Sequence, residues 1–283
     1  MTFPGVSGRT LVTGVVGAPV SHSLSPVIFN SWFRAAAIDA IYCPFAIEPG
    51  RFAAFANGLR GGGAVRALNV TAPFKEEALA LADMAGAAAA SSGAANLLVF
   101  TATGDIRAEN FDGAGMLAVL EENQFDPGQA PVVILGAGGA ARGAATALVE
   151  AGARDVRIVN RNLERASRLA QSLGTSGSRY VLAAAEAAAS GAGLLINTTS
   201  SLPEEALSGL LPSLPEGAVV MDMIYRPLET PLLASARGRH LRTIDGLAML
   251  IAQARLGFCE VFARQPPALD VRALALAAMA EGA

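Results

Sequence analysis

Pro131-Val132-Val133-Ile134-Leu135 is an unbroken apolar run that feeds, without a spacer, into Gly136-Ala137-Gly138-Gly139-Ala140-Ala141 and an alanine-rich stretch. A run this short and this apolar has the pattern of a strand buried on both faces. A glycine turn before an alanine-rich helix is common, but here the strand before it and the helix after it supply a demanding context. Gly136, Gly138 and Ala141 fill the three small-residue positions where the chain must turn tightly, approach a pyrophosphate, and pack helix on strand. The helix that follows aims its free amide groups and positive dipole end at that pyrophosphate, so Gly136, Ala137, Gly138, Gly139 and Ala140 are expected to bind a dinucleotide.

The rest of the chain is compatible with that constraint. Short β-rich runs alternate with helical segments: strands at 11–16, 41–46, 67–70, 96–101 and 106–110, and helices at 26–37, 51–59 and 75–84. After a helix at 115–122 and the turn-rich Asp126-Pro127-Gly128, further strands are expected at 156–159, 194–197 and 218–221. Strands separated by helices of this length favour parallel pairing through right-handed crossovers. The block 183–189 reads as helix, and Gly246 to Phe262 is a helix with Leu247, Leu250, Ile251, Ala254 and Phe258 at helical spacing. A final amphipathic helix spans 268–280.

The expected fold is therefore two α/β domains in a chain of 283 residues. Residues 1–111 plus 247–283 form a substrate-binding domain with a mainly parallel sheet, and residues 112–246 form a Rossmann dinucleotide-binding domain.

Hydrophobic residues reach 52%, but no uncharged apolar run approaches the roughly 20 residues a membrane span needs. Met1 to Arg9 lacks a basic segment followed by an apolar one, so a cytoplasmic protein is expected. A net charge of -3 without lysine or arginine runs argues against nucleic acid. Cys43 and Cys259 fit thiols in a reducing compartment, and two histidines, His22 and His240, with no Cys/His cluster argue against a metal.

The second strand of the dinucleotide unit bears on which cofactor binds. NAD sites usually end it with a carboxylate about 20 residues on, for the ribose 2′-hydroxyl, whereas a basic residue suits a 2′-phosphate. Here the run is Val159-Asn160-Arg161-Asn162-Leu163-Glu164-Arg165. With no carboxylate at the strand end, Asn160, Arg161 and Arg165 favour NADP, the two guanidiniums clamping a phosphate. The competing reading is that both arginines pair with Glu164.

Two further segments call for an explanation. Lys75 closes Asn69-Val70-Thr71-Ala72-Pro73-Phe74-Lys75, the buried end of a strand running into a helix, where an ammonium partly desolvated at a cleft mouth suits proton transfer. In Gly17 to Pro26, Ser25 is expected as a helix N-cap with Pro26 at the first helical position, which leaves Ser23 and His22 without a capping role.

Taken together, the chain resembles the shikimate dehydrogenase family, shikimate and quinate dehydrogenases alike, over nearly its whole length. The resemblance is carried, in order and spacing, by Gly17 to Pro26, Asn69 to Lys75, Gly93 to Asn96, Asn110 to Gly113, Gly136 to Arg142, Asn160-Arg161, Asn197 to Ser200, Asp222 to Pro227, and Gly246 to Gln253. It implies an NADP-dependent alcohol dehydrogenase that reversibly reduces 3-dehydroshikimate to shikimate, in the biosynthesis of chorismate and the aromatic amino acids. The partner is then a small molecule, with no nucleic acid or membrane, and the protein a monomer or homodimer.

The resemblance also assigns roles. Lys75 and Asp112 would be the catalytic pair, with proton transfer by the lysine alone or by the coupled unit both open. Ser23 and Ser25 would bind the substrate carboxylate, and Thr71, Asn96, Asp112 and Gln253 the ring hydroxyls. Thr198, Met223 and Gly246 would join the cofactor site. Tyr225 is carried over as a substrate-site residue near the nicotinamide, against the alternative of a tyrosine packing at a hinge.

The chain departs from the family pattern where Leu97 and Phe111 replace threonines and where Ala67 and Ala108 replace glycines. Either the floor of the site is repacked or the ring pocket has a changed shape. Two alternatives follow: a paralogue acting on quinate or an aminoshikimate-type analogue, and a ligand-binding regulator without turnover.

Overall fold

The computed structural model describes residues 6–199 and 204–282. Met1 to Gly5, read above for an export signal, and Ser200, which closes the Asn197 to Ser200 motif, lie outside the described residues. The chain divides into two compact units, 1–111 with 250–283 and 112–249.

The first unit runs β1 (Leu11–Gly17), α1 (Ser25–Ala35), β2 (Ala40–Ala46), α2 (Phe52–Gly58), β3 (Val65–Val70), α3 (Lys75–Ala80), β4 (Met84–Ala85), α4 (Ala87–Ser92), β5 (Leu97–Phe100) and β6 (Ile106–Glu109). Its sheet has the order β2-β1-β3-β5-β6-β4. The sheet is mixed: β1 pairs parallel with β2 and β3, and β4 with β6, but β5 runs antiparallel to both β3 and β6. The chain between β5 and β6 is too short for a crossover, and Thr101 N–H donates to Asp105 O at 2.9 Å to close the turn.

Alternation along the strands loads both faces of this sheet. Leu68, Val70, Leu98, Phe100 and Ile106 pack with Phe52, Ala56, Phe74, Ala78 and Ala89 from α2 to α4. On the other face, Ala67, Leu97 and Val99 pack with Val261. Val261 lies on α11 (Gly246–Phe262), most of which belongs to this unit together with α12 (Val271–Ala280).

The second unit contains α5 (Asp112–Glu122), β7 (Val132–Leu135), α6 (Gly139–Glu150), β8 (Val156–Asn160), α7 (Leu163–Ser172), β9 (Gly177–Val181), α8 (Ala185–Ala189), β10 (Leu194–Asn197), α9 (Glu204–Ser208), β11 (Val219–Asp222), α10 (Pro231–Gly238) and β12 (Arg242–Ile244). All its strand pairs are parallel, in the order β9-β8-β7-β10-β11-β12. Numbered within the unit, that order is 3-2-1-4-5-6, the doubly wound arrangement, whose switch point falls between β7 and β10. Every residue of β7, β10 and β11 is buried, as strands covered on both faces require.

Several boundaries differ from those expected, each for a tertiary reason. The α5 helix begins at Asp112, three residues before the expected Gly115: a Cβ on Gly113 would lie 2.5 Å from Ala147 Cβ and 2.6 Å from Gly143 O, so the glycine is a close-packing site against α6 and not a helix break. The α3 helix stops at Ala80, and Met84–Ala85 pairs with β6 as an edge strand. The last helix starts at Val271, where the Asp270 side chain accepts from Ala273 N–H at 2.9 Å as N-cap, and not at Ala268.

Candidate active site

In the first unit the segments expected to meet substrate gather at the ends of β1, β3 and β5. The N-cap of α1 is Leu24 and not Ser25, and Ser25 is the first helical residue. Leu24 is 1% exposed, so its side chain is held in the core. Ser23, without a capping role in the sequence reading, accepts the Ser25 N–H at 3.3 Å. That leaves the Ser25 hydroxyl with no hydrogen-bond partner in the chain among the described residues, as is also true of the Thr71 hydroxyl. Thr71 sits against Gly17, where a Cβ would lie 2.3 Å from its methyl group, and its amide donates to Val16 O at 2.9 Å.

Lys75 is half-buried at the first position of α3. Its position is set by its neighbour: Phe74 stacks on Phe52 with ring centroids 4.8 Å apart and planes 6° apart, a pairing that contributes about 0.5–1.5 kcal/mol beyond area burial. The Lys75 carbonyl accepts from Ala95 N–H at 2.8 Å, which ties the helix start to the residue before Asn96. Asn96 is 3% exposed, and both ends of its side-chain amide are hydrogen-bonded. Its Nδ2 donates to Gln253 Oε1 at 3.0 Å and its Oδ1 accepts from Phe111 N–H at 2.9 Å. Asp112 follows directly in the chain and is buried in the first turn of α5.

Sequence reasoning passed over the support behind Asn96. Asn69 Nδ2 donates to Asn96 O at 3.4 Å, and Asn69 Oδ1 accepts from Tyr42 Oη–H at 2.9 Å. Tyr42 in turn stacks on Phe29 at 4.4 Å. The structure bears on the two readings of the departures through Leu97. Leu97 is 1% exposed in the cluster with Ala67, Val99 and Val261, and Phe111 and Phe262 pack against it. At Leu97 the threonine hydroxyl is thus replaced by core packing beside Ala67, the half-buried Phe111 covers the edge of that cluster, and Ala108 is buried on the opposite face of the sheet.

In the second unit the expected cofactor residues come from the C-terminal ends of β7, β8, β10 and β11. Gly136 has φ +116°, and a Cβ there would lie 2.4 Å from Thr198 Oγ1, so only glycine fits. Thr198 donates that hydroxyl to Leu135 O at 2.7 Å and so pins the two strand ends at the switch point. Gly138 is different: its backbone is extended, and a Cβ would meet nothing within 4 Å. Nothing in the chain demands glycine there, so the open space at the start of α6 fits a ligand's close approach. Ala137 is buried, Ala140 half-buried, and Ala141 fully buried under the helix.

Asn160 ends β8 with no carboxylate in its place, and its Nδ2 donates to Asn162 O at 3.0 Å. Asn162 N-caps α7 by accepting from Arg165 N–H at 3.0 Å. Arg161 therefore precedes the cap and Arg165 stands in the first turn, both exposed. Glu164 pairs with Arg168, one helical turn on, at 3.3 Å.

Beyond β11, Met223 donates its amide to Asn197 O at 2.9 Å, and Tyr225 is half-buried two residues on. A Cβ on Gly246 would lie 2.5 Å from Met223 O, so α11 starts in close contact with that segment. Asp222, missed as a site residue, is 1% exposed and accepts from Asn197, Ile224 and Thr230. Burial pushes its carboxyl above the usual carboxylate range, and the three donors oppose that push without cancelling it. A lone carboxylate closing the apolar strand Val219-Val220-Met221 was the signal available in the sequence. Among the described residues there is no cluster of His, Cys, Asp and Glu able to hold a metal ion.

A doubly wound parallel sheet with a glycine turn at its switch point and basic residues after its second strand defines an NADP-type dinucleotide-binding α/β protein. Two family models match the chain, the shikimate dehydrogenase substrate binding domain over residues 15–98 and shikimate / quinate 5-dehydrogenase over residues 119–207. The chain is 49% identical, over 98% of each sequence, to the shikimate dehydrogenase (NADP(+)) of Caulobacter vibrioides. Its fold is similar to that of shikimate 5-dehydrogenase from Thermus thermophilus in complex with NADP(H) and shikimate, with a TM-score of 0.80 and 31% identity, covering 96% of this chain and 99% of that one. It is also similar to the 5-ketofructose reductase of a Gluconobacter strain, with a TM-score of 0.79 and 27% identity, covering 97% and 100%. The chain belongs to the shikimate dehydrogenase family.

Proposed function

We propose that the protein interconverts shikimate and 3-dehydroshikimate with NADP as cofactor. The observation that carries this reading is the match along 98% of the chain to a shikimate dehydrogenase (NADP(+)) at 49% identity. The local geometry supports it. Open space at Gly138, a β8 end without a carboxylate, and exposed Arg161 and Arg165 fit a dinucleotide with a 2′-phosphate. Bound NADP+ supplies the acceptor for the hydride that leaves the carbinol carbon.

The chain's own residues do the rest. Ser25 and Thr71 present hydroxyls without partners among the described residues, suited to the substrate carboxylate and a ring hydroxyl, and Ser23 holds the Ser25 amide. Asn96 and Gln253, each fixed by the other, offer amide groups to the ring hydroxyls. Lys75 takes the proton of the alcohol undergoing oxidation, and Asp112 is its partner in the catalytic pair. Tyr225 and Met223 border the nicotinamide.

Leu97 lies in a core cluster with the half-buried Phe111 packed against it, so the leucine in place of threonine gives no reason for a changed ring pocket. The matched family nevertheless spans shikimate and quinate. Steady-state rates with each alcohol, each with NADP+ and NAD+, test the assignment. The highest kcat/KM is expected for shikimate with NADP+, and a higher value for quinate would replace shikimate as the substrate. We place the protein in the cytoplasm, a reading supported by two free cysteines.

A further inference from the structure

Asp222 is a carboxylate 1% exposed at the end of β11 with no cation paired to it among the described residues. A buried charge without a counter-charge is costly, and an apolar side chain of similar volume would serve stability at least as well. What the carboxylate does provide is three directed bonds. Oδ1 accepts from Asn197 Nδ2 at 3.1 Å and from Ile224 N–H at 2.9 Å, and Oδ2 accepts from Thr230 Oγ1–H at 2.8 Å.

Asn197 extends the network to the neighbouring strand end. Its Oδ1 accepts from Thr199 N–H at 3.1 Å, and its carbonyl accepts from Met223 N–H at 2.9 Å. The segment carrying Thr198 and the segment carrying Met223 and Tyr225 are therefore both fastened to one buried group. Both lie on the β10–β11 side of the switch point. The residues proposed for the 2′-phosphate follow β8 on the other side. In a doubly wound sheet the two halves take the two mononucleotides, so the β8 half takes the adenosine portion and the β10–β11 half the nicotinamide portion.

We propose that Asp222 is a positioning residue for the nicotinamide half of the cofactor, holding the segments after β10 and β11 through Asn197, Ile224 and Thr230. The inference rests on the dinucleotide reading above. The gentlest probe is Thr230→Val, which removes one donor of the three, because Asp222→Asn would turn an amide against groups that donate. Thr230 also caps α10 by accepting from Leu233 N–H at 3.3 Å, so binding is measured well below the unfolding temperature. Thr230→Ser keeps both bonds. Thr230→Ala gives the same comparison should the valine variant not fold.

Calorimetric titration with NADP+ and with adenosine 2′,5′-bisphosphate, alongside kcat for shikimate, separates positioning from general loosening. Thr230→Val is expected to bind the bisphosphate within about twofold of the unaltered protein while NADP+ affinity and kcat each fall about 10-fold, the scale of a misplaced reacting group, with Thr230→Ser restoring both. Equal weakening of the two ligands, or unchanged kcat and NADP+ affinity, would overturn the proposal alone. Failure of the unaltered protein to bind NADP+ would overturn the dinucleotide reading and this inference with it.

Discussion

Lys75 is held by its backbone and its neighbour: the Phe74–Phe52 stack fixes the residue before it, and its own carbonyl is bonded to Ala95 N–H. Those backbone and ring restraints do not depend on the ammonium, so truncating the side chain leaves them in place while removing the proposed proton-transfer group. Lys75→Ala is expected to lower kcat by about 10²- to 10⁴-fold while KM for shikimate changes little. Steady-state kinetics decide it, and near-normal turnover would remove Lys75 from the assigned role. At this scale much was legible beforehand. The segments around Ser23, Thr71, Lys75, Asn96 and Gly136 carry their signals in adjacent residues. The bonds of Asp222 and Asn69 were not legible, because their partners Thr230, Asn197 and Tyr42 are brought to them by the fold.

The first sheet shows how one element settles a question about specificity. Successive residues of β5 face opposite sides, so Leu97 and Val99 turn toward Val261 on α11 while Leu98 and Phe100 turn toward α2 to α4. Leu97→Thr would put a hydroxyl into an apolar cluster and remove methyl contacts, at a cost of about 2–4 kcal/mol. The expected outcome is a lower Tm with the shikimate-to-quinate ratio of kcat/KM unchanged; a large shift in that ratio would show that Leu97 shapes the ring pocket.

At the edge of the same sheet, the Asp83 carboxylate accepts from Ile106 N–H at 2.7 Å and from Arg60, clamping β4 to β6. The Ile106 amide first, and then Arg60, hold that carboxyl below the usual range. A depressed acid contributes stability above its unfolded pKa and loses it as pH falls through the folded one. The stability gap between the protein and Asp83→Asn is therefore expected to be present at neutral pH and to close below about pH 4, as chemical denaturation across pH would show. A gap independent of pH would contradict the ionic origin of the clamp.

For the whole molecule, the proposed function assigns the two ligands to different units of the chain. NADP+ is expected to raise Tm by mass action and to slow amide exchange chiefly within 112–249, and shikimate chiefly within 1–111 and 250–283. Arg161→Ala should diminish the Tm shift given by NADP+ far more than that given by NAD+; equal losses would contradict a 2′-phosphate contact. The sequence by itself determined the alternation of strands and helices, the dinucleotide turn at Gly136 to Ala141, the basic residues after β8 and the family, because periodicity, turn chemistry and motif spacing are written over short stretches. Only the tertiary structure decided that β5 runs antiparallel to β3, that α5 opens at Asp112, that Leu97 belongs to a core cluster with Phe111 packed against it, and that Asp222 gathers Asn197, Ile224 and Thr230. Each of these depends on which distant residues meet, and burial, close approach and buried hydrogen bonds act only once the chain has folded.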